Sequence, residues 1–215
     1  MARKSNLVVT EGALNLIDAD YLSQKSKRLE QSNLLKGRLL KPCIGVLIGG
    51  NSKRFNISQQ DIIDLSVQIK KTAKQLNADI LVSTSRRTSP AAEQAVKDEF
   101  INYPRCKLLV IANENNHPDA LGGILGLSDI IIISQESISM ISEAASAEKY
   151  VVVFKGLGLS KKHRRFLENY RDKGYIYLKE AKELADGVNE IWLNKPKINM
   201  PKDNLKVIEA LNKIL

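Results

Sequence analysis

At 215 residues, with 27% charged and 5% aromatic side chains, the chain has the size and make-up of a soluble α/β protein able to bury a sizeable core. Its net charge of +9, from 33 Lys and Arg against 24 Asp and Glu, favours anionic partners: nucleotides, nucleic acid or an acidic membrane face. No apolar run is long enough to cross a bilayer, and MARKSNLVV lacks the apolar stretch and cleavage site of a secretory signal, so a cytoplasmic location is expected.

Residues 7 to 17 read as a short strand and turn, and residues 18 to 40 as a polar helix or linker with little apolar face. From Cys43 onward, strand and helix signals alternate over short connections. CIGVLIGG is a strand ending in two glycines. ISQQDIIDLSVQIKKTAKQLN follows, with Ile62, Ile63, Leu65, Ile69 and Leu76 at helical spacing and Ser58 as its N-cap. DILVSTS is a second strand, PAAEQAVKDEF a helix opened by Pro90, and CKLLVI a third strand. After a loop, ANENNHPDA, comes the short helix LGGILGLS.

The most informative stretch is SDIIIISQESISMISEAASAEKYVVVF, residues 128 to 154. Its two strands, Ile130 to Ile133 and Val151 to Phe154, are apolar at every position, as in a parallel sheet covered on both faces. The helix between them opens among Ser134, Ser137, Ser139 and Ser142. KKHRRFLENYRDKG is a further helix ended by Gly174, YIYL a sixth strand, NKPKINMPKD a loop, and the tail from Asp203 an amphipathic helix. Repeated βα units with short links predict one Rossmann-like, doubly wound parallel sheet.

Ligands bind such sheets at the carboxyl ends of the strands. Three loops converge there. In IGGNSKRFNIS, Gly49 and Gly50 permit close backbone approach, and Asn51 and Ser52 offer donors to phosphate oxygens; a plain tight turn explains the same residues equally well. In STSRRTSP, Arg86 stands just past a strand end, suited to gripping a phosphate or carboxylate, or to lying in solvent. In QESISMISE, the N–H groups of Ser137, Ile138 and Ser139 face the cleft at the positive end of a helix. Glu136 and Glu143, seven residues apart, are placed on one helix face, and a carboxylate there suits a pair of ribose hydroxyls.

Several other features are bland. His117 lies in the loop after the third strand, and His163 sits in a basic helix where a structural role is expected. The cluster Lys161, Lys162, His163, Arg164, Arg165 reads first as a solvated face, then as a peripheral membrane contact; without interleaved aromatics, nucleic acid ranks last. Cys43 and Cys106 form no metal-ligand spacing and read as structural thiols of a reducing compartment.

LIGGNSKRF, LVSTSRRTSP and SDIIIISQESISMISEAASAEKYVVVF, in that order, together with the upstream VVTEGALNLIDADYL, resemble the mitochondrial-fission ELM family and its bacterial homologues. The resemblance implies the C-terminal, nucleotide-sugar-binding half of a GT-B glycosyltransferase-like fold. It implies that Gly49, Gly50, Asn51 and Ser52 approach a diphosphate, that Ser137 to Ser139 form the second helix start, and that Glu143 holds the nucleotide ribose. Arg86 falls in its TSRRT-like block. The implied ligand is a nucleotide-sugar, with no separate cofactor. Where that family has a small residue, Gly and Lys-Pro before its final strand, this chain has Ala147, Glu148, Lys149 and Tyr150. On this reading residues 1–41 are the remnant of a preceding domain and hinge, 42–190 the Rossmann-like domain, and 191–215 a C-terminal docking helix. The chain would then be truncated or split, inactive alone, and paired with a separately encoded N-terminal half. A non-enzymatic protein- or membrane-interaction module is the rival expectation.

Overall fold

The computed structural model describes residues 7–51, 55–155 and 158–213. Six strands form one all-parallel sheet: β1 (Cys43–Ile48), β2 (Asp79–Thr84), β3 (Cys106–Val110), β4 (Ile130–Ser134), β5 (Tyr150–Lys155) and β6 (Tyr177–Glu180), in the spatial order β3-β2-β1-β4-β5-β6. Every residue of β1, β2 and β4 is buried, which is why these strands read as unbroken apolar runs rather than alternating ones. The predicted sixth strand lies two residues later than YIYL, and residues 7–17 form neither strand nor helix.

The pleat divides the core in two. Ile44, Val46, Ile48, Ile80, Val82, Ile130 and Ile132 face α2 (Gln59–Gln75), α3 (Pro90–Phe100) and α8 (Leu184–Asn194). Leu47, Leu81, Leu108, Ile131 and Ile133 face α5 (Ala120–Leu127), α6 (Ile138–Ala145) and α7 (Lys161–Asp172). Helix starts follow the expected chemistry. Ser58 and Asp61 form a reciprocal capping box on α2, Pro90 occupies the first turn of α3, and Ser160 caps α7. One turn of helix, α4 (Ala112–Asn115), interrupts the loop after β3.

Residues 19–30 are a helix, α1 (Ala19–Glu30), capped by Asp18 and seated on α5. It has little apolar face of its own because its partner supplies room rather than bulk. A Cβ on Gly123 would lie 2.8 Å from Leu29 Cβ and 3.1 Å from the Lys25 carbonyl oxygen, so α1 rests nearly on the backbone of α5. Leu29 is fully buried there.

The segment before α1 is stitched to α9 (Asp203–Leu211). Asp203, buried, accepts the N–H groups of Glu11 (3.0 Å) and Gly12 (2.9 Å). Asn204 Nδ2 donates to the Asn15 carbonyl at 2.7 Å, and the Ala13 N–H donates to Ser142 Oγ at 3.0 Å. Glu11 pairs with Lys173 (2.8 Å) and Lys206 (2.9 Å), which hold its carboxyl down at about 2.

Candidate functional site

In the observed order, β1 and β4 lie side by side while their crossovers leave to opposite sides. This is the switch point at which a doubly wound sheet opens a crevice beyond its carboxyl edge. The loops of interest leave the sheet here. The Gly49 N–H donates to Ser134 Oγ at 2.7 Å, and Ser134 Oγ donates to Glu136 Oε1 at 2.9 Å, so the ends of β1 and β4 are tied through one buried hydroxyl.

The glycine pair has a local explanation. A Cβ on Gly49 would overlap the Glu136 carboxylate, and one on Gly50 would overlap the backbone of Arg87 and Thr88. The space freed by the missing side chains is thus filled by the chain itself. Two further bonds hold the crossing: the Asn51 N–H donates to the Arg87 carbonyl (2.9 Å), and Thr88 Oγ1 donates to the Gly49 carbonyl (2.9 Å). Asn51 Oδ1 accepts the Ile57 N–H at 3.3 Å, which closes the loop on itself. Ser52, with Lys53 and Arg54, lies outside the described residues.

The second loop is built around Thr88 rather than around its arginines. Thr88 Oγ1 also accepts the Ser85 N–H at 3.0 Å, and this buried hydroxyl locks the TSRRTS turn under the glycine loop. Arg86 is exposed and makes no bond among the described residues. Its neighbour Arg87, also exposed, is the cation whose charge reaches Glu136.

Helix α6 opens at the switch point. Ser137 is its N-cap and receives the Met140 N–H at 3.5 Å, while the N–H groups of Ile138 and Ser139 have no intrahelical acceptor. Of the four serines read around this start, Ser134 is engaged by Gly49 and Glu136, Ser137 caps the helix, and Ser142 holds residue 13. Ser139 is exposed. Glu143 is half-buried, its carboxylate has no partner among the described residues, and burial raises its pKa. A helix start with open amides and a carboxylate on the same helix can bind an anion and a pair of hydroxyls together.

Glu136 departs from expectation. It precedes the helix, so it shares no helix face with Glu143. It is 5% exposed, burial raises its pKa against the pull of its own backbone N–H, Ser134 and Arg87, and its Oε2 is buried without a partner among the described residues. His163 contacts this turn from the basic helix: Nε2 lies 3.0 Å from the Glu136 carbonyl and Nδ1 3.3 Å from Ser160 Oγ. That contact spans 27 residues between two elements, and no local pattern announces it. His117, by contrast, accepts the Asp119 N–H at 3.2 Å beyond β3, the edge strand farthest from the switch point on its side.

Among the described residues no group of three metal-ligating side chains converges, and no helix is long and apolar enough to cross a membrane. Two cavities lie at opposite ends of α6. One, of about 840 Å³, lies over β4–β6 and reaches Gln135; the other, of about 990 Å³, runs between residues 13–19 and α9. Glu143 lines neither.

Comparison with known proteins adds ancestry to this geometry. The family described as mitochondrial fission ELM1 matches residues 1–196. An uncharacterized protein, RP120, of Rickettsia prowazekii (strain Madrid E) is 29% identical over 163 residues, covering 75% of this chain and 44% of that relative. The chain thus spans less than half the length of that curated relative. A putative UDP-N-acetylglucosamine 2-epimerase from Listeria monocytogenes has a similar fold at 10% identity and TM-score 0.50, covering 85% of this chain and 41% of that one. The C-terminal domain of a glycosyl transferase group 1 family protein (LpcC) from Francisella tularensis is 15% identical with TM-score 0.43, covering 79% and 81%.

Proposed function

The chain belongs to the mitochondrial fission ELM1 family, and we propose that it serves as the nucleotide-sugar-binding half of a GT-B glycosyltransferase-like protein. The observation that carries the reading is α6. At the switch point it offers the open N–H groups of Ile138 and Ser139 to a diphosphate, and within the same helix it offers the unpartnered Glu143 carboxylate to the ribose hydroxyls. On this reading Arg87 and Arg86 flank the anion, and the Gly49–Asn51 loop shapes the floor beneath it. Transfer would require a second wall, from another polypeptide or another stretch of the same one, to bring the acceptor and the base.

Calorimetry with UDP-, GDP-, ADP- and CMP-sugars tests this directly. One of the four should bind, and Glu143→Ala should weaken that binding by about 1–3 kcal/mol, the cost of leaving buried hydroxyls unpaired. Absence of heat with all four on folded protein defeats the proposal. Both oxygens of the carboxylate accept hydroxyls only when it is ionised, and burial raises its pKa. Binding should therefore weaken on acidification, starting at a higher pH than for an ordinary carboxylate, and Glu143→Gln should remove that dependence.

A second reading, an interaction module without turnover, has one observation of its own. Leu14, Leu16, Leu205 and Ile208 are exposed by 53% or more around the cavity between residues 13–19 and α9. Co-sedimentation with anionic vesicles, with Arg164 and Arg165 reversed in charge as the control, separates the two: vesicle binding without nucleotide binding favours this one.

A further inference from the structure

Helix α9 sits on the molecule with its polar side inward. Among the described residues Asp203 is its one buried side chain, held by the N–H groups of Glu11 and Gly12. Leu205, Ile208 and Leu211, spaced three apart and so on one stripe, are exposed by 53% or more. A helix of nine residues depends on packing its apolar face, and this one leaves that face uncovered. Beside it stands Leu16, 81% exposed, in the segment that Asp203 and Asn204 fasten to the helix. Most of the large apolar side chains exposed among the described residues lie in these two segments, 7–16 and 200–211. An apolar patch gathered in this way marks a contact surface.

The surface has relief as well as area. The α9 stripe is a ridge, and the cavity of about 990 Å³ between it and residues 13–19 is a groove alongside, with Leu22, Ala147 and Met200 in its wall. Its charges are of both signs. Asp18, Glu148 and Lys202 line the groove with exposed side chains, while Glu209 and Lys213 stand exposed on the helix and just past it.

These features select the occupant. An anionic bilayer is drawn to cations, and the carboxylates of Asp18, Glu148 and Glu209 would oppose it. A surface that carries a ridge and a groove, and cations and carboxylates, holds both halves of its own complement. A twofold axis joins one patch to itself, so it lays the ridge of each copy in the groove of the other. Helix-in-groove contact needs anchors spaced as those of α9 are. We infer that α9 and residues 13–16 form the interface of a symmetric dimer, with a second copy of this chain as the partner. The inference rests on the exposed surface of the second reading and names what covers it; it is independent of nucleotide binding.

Sedimentation equilibrium on the full chain, from about 1 to about 200 μM, tests the dimer, with circular dichroism confirming the fold of each variant. Wild type should pass from monomer to dimer within that range. Ile208→Asp on the ridge and Leu16→Asp beside the groove should each raise the dissociation constant at least about tenfold. Both positions are exposed and lie on separate segments, so either folded variant decides. Ile101→Asp, at an exposed apolar position at the end of α3, should leave the constant unchanged. Amide hydrogen exchange should slow in residues 13–16 and α9 as concentration rises. A wild type that stays monomeric overturns the inference, as does growth beyond a dimer. A dimer that neither ridge nor groove variant weakens, that Ile101→Asp weakens equally, or that protects amides elsewhere also overturns it. If a monomeric wild type sediments with anionic vesicles, the dimer fails while the interaction-module reading stands; if it does not, both fail.

Discussion

Glu148 is a residue in a conformation made for another. Its φ is 56°, two residues beyond the C-cap of α6, in the left-handed region that glycine adopts without steric cost. A side chain here costs about 1 kcal/mol, and Glu148 is exposed with no bond among the described residues to offset it. Glu148→Gly should therefore stabilise the fold by up to about 1 kcal/mol, read as a higher midpoint in urea at unchanged slope; a lower midpoint would mean that the carboxylate has a role in the folded state. At the same scale, residue identity alone does not show what packs around the crevice. Gly49 and Gly50 suggest room for a ligand, yet Glu136 and Arg87 occupy that room. Arg86 and Arg87 cannot be ranked by sequence, since which of two adjacent side chains reaches a neighbouring loop depends on the turn that Thr88 fixes.

Elements were legible wherever burial was symmetric or a cap was local. The unbroken runs of β1, β2, β4 and β5, the Ser58 and Pro90 helix starts, and the parallel order they require could all be read directly from the residues. Two helices were less legible, α1 standing only as a polar helix or linker and α8 unread. In α8, Gly187 and the absence of a side-chain cap blur the signal of LADGVNEIWLN, and its apolar face, with Val188 and Ile191, is defined by a neighbour, α2. In α1 the contact is made by glycines on the other helix, so its own sequence looks polar. That packing is testable. A β-branched side chain at Gly123 meets Leu29 and the Lys25 carbonyl, neither of which can retreat as a flexible tip would. Gly123→Val should cost about 1–3 kcal/mol as an overpacked contact. The loss should appear as lower equilibrium stability with the sheet still formed; unchanged stability would show that α1 separates from α5 at no cost.

Across the whole molecule, the seam joining residues 11–15 to α9 responds to acid. The Glu11 carboxyl is held at about 2 by Lys173 and Lys206, below its ordinary 4.5. A depressed carboxyl stabilises the fold above its unfolded pKa, and that contribution drains away as pH falls from about 4.5 toward 2. The full shift corresponds to about 3 kcal/mol, which screening of these partly exposed lysines reduces to about 1 kcal/mol. Glu11→Gln should lower stability at pH 7 by that amount and flatten its decline between pH 4.5 and 2; parallel pH curves for the two proteins would exclude Glu11 as the titrating group. The described part of residues 1–41 is fastened to α5, α6 and α9 by bonds that no sequence period encodes.

The same seam bears on the order of assembly. Glu11 and Asp203 are 192 positions apart, so their bond closes nearly the whole chain into a ring. Each β–α step of the sheet closes a much shorter loop and can form early, whereas this closure gains nothing until both ends have a finished surface to meet on. The ends therefore zip last and part first. A population with its sheet intact and its ends undone is the natural partly open state of this protein, and it is the state in which the face covered by residues 11–15 becomes available to anything else that fits there.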